Sequence, residues 1–152
     1  MQLAHYIGLL RKAQVDLAAA FREVRDAHAE ETDVHHLCGR LAEQCDTHAE
    51  RLQPFAESYG EDAPDGPDRL HSELFKGTRQ GGLGLLRDLH DLYLMASECD
   101  MAWVLVGQAA RGLRDNDLYE VVQSCEGETA TQLQWLKSRM KEAAPQALVV
   151  AP

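Results

Sequence analysis

Apolar residues recur along this chain at the spacing of an α-helix, in four separate segments. In the first segment they fall three or four residues apart from Leu3 to His28, so they line one face of a helix. Similar stripes run from Val34 to Tyr59, from Leu85 to Leu113 and from Leu118 to Met140. Strand-like alternation is almost absent. The pattern therefore predicts an all-α chain built from four long amphipathic helices.

The connections predict how these helices are arranged. Only a few residues separate helices one and two, and helices three and four, and short connections make antiparallel hairpins. The middle connection, residues 60–84, is rich in glycine and long enough to run the length of a bundle. We expect two antiparallel hairpins joined by a long crossover, in one domain over residues 1–144, with a flexible tail at 145–152. An up-down-up-down bundle with a loose middle loop is the alternative.

Local signals predict where the second and fourth helices begin and end. Thr32 is a natural N-cap, because its hydroxyl can accept an early backbone N–H, and Gly60 is a natural C-terminal stop. Pro54 lies inside the second helix and should kink or loosen its last turns. Asp117 with Glu120 resembles a capping box at the start of the fourth helix.

Composition and charge exclude several classes of protein. The chain has 152 residues, 45% of them hydrophobic and 26% charged, which is typical of one globular domain. Its formal net charge of -10 disfavours nucleic acid, because phosphate repels an acidic surface. No apolar run approaches the roughly 20 residues of a membrane helix, and no basic region precedes an apolar stretch at the N-terminus. We expect a cytoplasmic protein that binds neither nucleic acid nor membrane, with its cysteines reduced.

Polar groups stand on the inner stripes near the middle of every predicted helix. The stripe residues closest to the four midpoints are Gln14, His48, Cys99 and Thr129. A midpoint keeps its level when a helix is reversed, so these four residues should share one layer of the bundle. Leucine and alanine are the usual choice for such core positions. This layer is the main candidate for a functional site.

Two further cysteines lie one helical turn from this layer, Cys45 on the second helix and Cys125 on the fourth. Cys45 and His48 are three residues apart, so the thiol and the imidazole project to the same side of the helix. Thiolate and imidazole suit Zn or Cu(I). The predicted metal set is His48, Cys45, Cys99 and Cys125 as ligands, with Gln14 and Thr129 orienting them.

A simpler interpretation of the same residues needs no metal. Buried cysteine packs as a small hydrophobic side chain, and all four cysteines, Cys38 included, lie on apolar stripes. His48 would then be a neutral core histidine, hydrogen-bonded to Gln14 or to the Thr129 hydroxyl.

In helix count, crossover and mid-bundle polar groups, the chain resembles the ferritin-like superfamily over about Leu3 to Ala143. Di-iron members of that family carry a Glu on two helices and a Glu-x-x-His on the other two. The corresponding positions here are Gln14, Cys45-Asp46-Thr47-His48, Cys99 and the stretch 125–129, so only His48 keeps the family's residue type on a clear match. The resemblance implies a ferritin-like fold in which the di-iron site is lost or replaced.

Apolar residues on the outer face of the third helix point to self-association. Met101, Val104 and Leu105 project outward there, and a symmetric dimer buries such a patch. The alternative is that the crossover covers the patch with a short helix, predicted over residues 67–75, whose apolar residues are Leu70, Leu74 and Phe75.

Three functions follow from these features. We expect first a non-enzymatic helical bundle that acts through its surface or through a homodimer formed by helix 85–112. The second hypothesis is a small metal-binding or thiol-redox protein that uses the Cys/His set with Zn or Cu. A ferritin-like di-metal oxidoreductase is the least expected, because the inner stripes carry almost no carboxylates. The sequence does not decide whether the chain is an enzyme. The lack of a recognisable catalytic motif favours a non-enzymatic protein.

Overall fold

The chain folds into four long helices in the computed structural model, which describes residues 1–60, 68–71 and 75–150. The described ranges contain no strand, so the predicted all-α four-helix bundle is confirmed. The helices are α1 (Leu3–Ala27), α2 (Thr32–Tyr59), α3 (Gly81–Leu113) and α4 (Asn116–Pro145), and a π-helical turn follows at Gln146–Val150.

Contacts at the helix ends fix the directions of the four helices. His28, at the end of α1, lies 2.7 Å from the Asp88 carboxylate near the start of α3, so α1 and α3 are antiparallel. Tyr59, at the end of α2, donates to Asp115 just before α4 at 2.6 Å, so α2 and α4 are antiparallel as well. Because α1 packs on α2 and α3 on α4 as hairpins, α2 and α3 run in the same direction. The predicted crossover is confirmed, and the up-down-up-down alternative is wrong.

The described part of the crossover follows α1 from one end of the bundle to the other. Asp68 contacts His5 near the beginning of α1, and the His71 ring donates from Nε2 to the carbonyl oxygen of Ala13 at 3.0 Å, midway along it. Arg79 binds carboxylates in the first turns of α3. These contacts hold the described residues of the crossover against both α1 and α3.

The predicted short helix in the crossover is not present in its described residues. Residues 68–71 and 75 are non-helical, and Leu74 lies outside the described part of the chain. Leu70 and Phe75 instead line a groove with Leu9 and Met95. They do not cover the outward patch of α3.

α2 ends at the residue that the sequence predicts, but its N-cap differs from the prediction. Thr32 is the first helical residue, so the N-cap is Glu31, whose side chain makes no capping bond. Gly60 is the C-cap as predicted, with a left-handed φ of 78° that glycine adopts without strain. The helix continues through Pro54 to Tyr59.

The start of α4 is capped by a different residue from the one predicted. Asp115 is the N-cap, and its carboxylate accepts from the Leu118 backbone N–H at 3.0 Å. The predicted cap, Asp117, lies in the first turn. The turn explains the difference, because Arg114 adopts a left-handed φ of 57° that ends α3 immediately before Asp115.

Candidate functional site

All six residues of the predicted site are in the interior. Each is 1% exposed or less, and they come from all four helices: Gln14, Cys45, His48, Cys99, Cys125 and Thr129. Their side chains therefore face inward, on the surfaces that the helices bury against one another.

His48 is held on α2 with its ring against the indole of Trp103 on α3. The ring centroids are 5.7 Å apart and the planes are 89° apart, an edge-to-face contact. Neither ring nitrogen has a hydrogen-bond partner among the described residues. Burial lowers the pKa of His48, and the nearby Glu128 carboxylate opposes this shift only in part. The imidazole is therefore neutral near neutral pH.

Glu128 on α4 is the one carboxylate that approaches His48. Its Oε1 lies 3.7 Å from His48 Nε2, which is longer than a hydrogen bond, and its side chain is 40% exposed. The other carboxylate oxygen accepts from Gln44, and Gln132 Nε2 donates to Gln44 Oε1 at 2.7 Å. A polar chain therefore leads from solvent along the α2–α4 seam towards His48.

Gln14 and Thr129 differ in how their polar atoms are satisfied. Neither amide atom of Gln14 has a hydrogen-bond partner among the described residues. The Thr129 hydroxyl donates to the carbonyl oxygen of Cys125 at 2.8 Å, within its own helix. Neither residue bonds His48, so the predicted hydrogen-bonded core histidine is not what the structure contains.

The four cysteines are free and buried. Three of the sulfur atoms contact different polar groups: Cys45 lies 3.6 Å from Gln132 Nε2, Cys125 lies 3.8 Å from Arg51 Nη1, and Cys99 lies 3.9 Å from His71 Nε2. Burial raises the pKa of Cys38 and Cys45 to about 12, that of Cys125 to about 11, and that of Cys99 well above its usual value. The thiols are therefore protonated near neutral pH.

The metal hypothesis stays a prediction. Within the described ranges, no three or more His, Cys, Asp or Glu side chains are grouped as they would be around an ion. Burial is the main cause of the raised pKa of Cys99, and the Cys45 thiol adds to it.

Two polar side chains in this region were missed by sequence reasoning. Trp103 lies on the apolar stripe of α3, and its Nε1 has no hydrogen-bond partner among the described residues. Gln132 lies three residues after Thr129, on the same side of α4, and its Oε1 is also without a partner there. Helical spacing from Thr129 would have found Gln132.

A second buried polar cluster was missed at the far end of the bundle. The Asp88 carboxylate, fully buried, accepts from His28 at 2.7 Å and from the Arg79 guanidinium at 2.9 Å. The same guanidinium lies 3.1 Å from Asp91, whose side chain is 5% exposed. This cluster joins the end of α1, the crossover and the start of α3, so its evident role is structural.

Comparisons with known proteins give no relative. No protein-family model, no curated protein and no solved structure matches the chain. None of the helices in the described ranges combines the length and apolar character needed to cross a membrane. The interpretation of this chain therefore depends on its own residues.

Proposed function

We propose that the protein is a non-enzymatic, ferritin-like helical bundle that acts as a homodimer, formed through one apolar face of α1 and α3. The observation that carries the proposal is an exposed apolar groove at one end of these helices. The order of the helices supports the ferritin-like assignment, since one long crossover between two hairpins characterises that class.

The α1–α3 groove has a volume of about 330 Å³ and is lined by Met1, Gln2, Leu3, Tyr6, Leu105, Val106, Ala109 and Leu113. None of these lining residues has a charged side chain. In a chain with a formal net charge of -10, such a face is where two copies meet with the least repulsion. A second copy is therefore the occupant that we propose.

Four apolar residues on the outer face of α3, three of them exposed and Ala109 partly buried, form a ridge that can pack against the same ridge of a second copy. Met101, Leu105, Ala109 and Leu113 are four residues apart, and ridges of this spacing pack into the grooves of a partner helix. Met101 is 58% exposed, and Leu105 and Leu113 are each 44% exposed. A two-fold axis beside Leu105 would bury this ridge on both copies.

The state of the thiols supports a function outside thiol chemistry. Cys45 and Cys125 are buried, and burial raises the pKa of each, so the reactive thiolate is disfavoured. Thiol-redox exchange needs an accessible sulfur of low pKa.

Sedimentation velocity of Leu105→Glu against Val15→Glu tests the proposal. Val15 is also an exposed apolar residue, at 54%, but it lies on α1 outside the groove, so it is the matched control. We expect the unmodified chain and Val15→Glu to sediment as dimers and Leu105→Glu as a monomer. Equal sedimentation of all three proteins would contradict the proposed interface.

A further inference from the structure

Four buried side chains at the middle of the bundle, one from each helix, hold polar atoms without hydrogen-bond partners among the described residues. They are Gln14, His48, Trp103 and Gln132, and we call them the waist cluster. Each is 1% exposed or less. The atoms are both amide atoms of Gln14, both ring nitrogens of His48, the indole nitrogen of Trp103 and Oε1 of Gln132.

Contacts bring His48, Trp103 and Gln132 to one region of the interior, and Gln14 lies at a similar level on α1. The rings of His48 and Trp103 touch directly. Gln132 bonds the sulfur of Cys45, which is three residues before His48 on α2. The His71 ring links α1 to α3 at this level: it bonds the carbonyl of Ala13, the residue before Gln14, and lies 3.9 Å from the sulfur of Cys99. Cys99 is one helical turn before Trp103.

Unpaired polar atoms in an interior are costly. A buried donor or acceptor left without a partner costs about 1–3 kcal/mol. The six atoms of the waist cluster together would consume much of the roughly 5–15 kcal/mol that stabilises a typical domain. The usual explanation for such groups in a native protein is a bound water or ligand that pairs with them.

The mixture of donors and acceptors defines the kind of molecule that fits. The indole N–H and the Gln14 amide nitrogen donate, while Gln14 Oε1 and Gln132 Oε1 accept. The imidazole, neutral in this environment, offers one donor and one acceptor. An anion would be repelled by Glu128, 3.7 Å from His48, and the acidic and thiol groups required for a metal ion are not grouped together in the described ranges.

We propose that the waist cluster binds a small uncharged molecule that both donates and accepts hydrogen bonds, entering along the polar α2–α4 seam. The Gln44–Glu128 contact and the half-exposed Glu128 side chain mark the outer end of that path. Water and a small organic amide or alcohol share this chemistry, and the experiment distinguishes the two sources.

Nuclear magnetic resonance of the full chain in water tests the proposal at the Trp103 indole proton. If water is the occupant, this proton shows a cross-peak to a long-lived water, while the indole of the half-buried Trp135 is the reference for short-lived surface water. If an organic molecule is the occupant, native mass spectrometry of the purified protein shows an added mass that denaturation releases. Absence of both signals would overturn the proposal.

Two variants on the same layer show whether the signal belongs to the waist cluster. Gln14→Leu removes two of the six unpartnered atoms, so we expect the water cross-peak or the added mass to be lost. Thr129→Val removes a hydroxyl that is already bonded within α4, so the signal should persist. A signal that survives Gln14→Leu unchanged would contradict the assignment, and the test on the unmodified chain holds even if a variant fails to fold.

Discussion

The imidazole of His48 and the indole of Trp103 meet edge to face at 5.7 Å between the helices α2 and α3, which run in the same direction. Neither ring has a hydrogen-bond partner among the described residues at its nitrogens. A core built for packing alone would place leucine or phenylalanine at both positions. The pair therefore marks the middle of this bundle as chemically different from its two ends.

The buried position of His48 predicts an unusual titration. Its pKa lies below the ordinary 6.5 because burial disfavours the imidazolium, and Glu128 raises the pKa in opposition. Glu128→Gln should therefore lower the His48 pKa further. The ring resonances of His48, followed against pH in the unmodified chain and in Glu128→Gln, measure this shift. An upward shift in Glu128→Gln would contradict the account.

The same shift makes the stability of the protein depend on pH. A histidine with a depressed pKa binds fewer protons in the folded state than in the unfolded state, so the free energy of unfolding falls as pH drops through about 6.5. Urea unfolding at a series of pH values should show this loss in the unmodified chain. In His48→Phe, the part of the loss that belongs to this residue should disappear.

The cysteines are expected to resist thiol reagents in the native protein. Their pKa values are raised by burial, to about 12 for Cys38 and Cys45 and to about 11 for Cys125, so few thiolates exist at pH 8. Titration with Ellman's reagent should give slow, substoichiometric reaction in the folded state and four thiols in denaturant. Rapid reaction of one thiol in the folded protein would contradict this prediction and support the thiol-redox hypothesis.

Arg79 is expected to stabilise the end of the bundle by neutralising two buried carboxylates. Arg79→Met leaves Asp88 and Asp91 without their cation, and we expect a loss of about 3 kcal/mol in the free energy of unfolding. This is the low end for a broken buried pair, because the guanidinium is 38% exposed. The matched control is Arg87→Met, at an exposed position on α3. Equal unfolding curves for the two variants would rule out this role.

His71 is expected to hold the crossover against α1 and α3. Its two ring nitrogens lie 3.0 Å from the Ala13 carbonyl oxygen and 3.1 Å from the Glu98 carboxylate. His71→Ala removes both contacts, each worth about 1 kcal/mol net, so trypsin should cleave after Arg69 about thirtyfold faster. His90→Ala, at an exposed position on α3, should leave the rate unchanged.

The repeating apolar pattern was sufficient to predict the helices and the crossover. Four long stripes and one long connection leave few arrangements, and helix ends such as Gly60 carry their own local signal. The caps were harder to predict, because Asp115 and Asp117 are chemically equivalent as caps and the choice depends on the turn at Arg114.

The candidate site was predicted less completely than the fold. Inward position followed from helical spacing, so the burial of Gln14 and His48 could be anticipated. The partners of each side chain depend on how helices pack across the bundle, which a period of 3.6 residues does not encode. For that reason Trp103 was missed beside His48, and Asp88 was not expected to be buried beside His28.

Light scattering of the unmodified chain, at low and at high salt, tests the proposed homodimer most directly. The account predicts a mass of twice 16.9 kDa, with a dimer that tightens as salt rises, because salt screens the repulsion between two acidic copies while the apolar α1–α3 groove remains buried. A mass of 16.9 kDa at every salt concentration would contradict it.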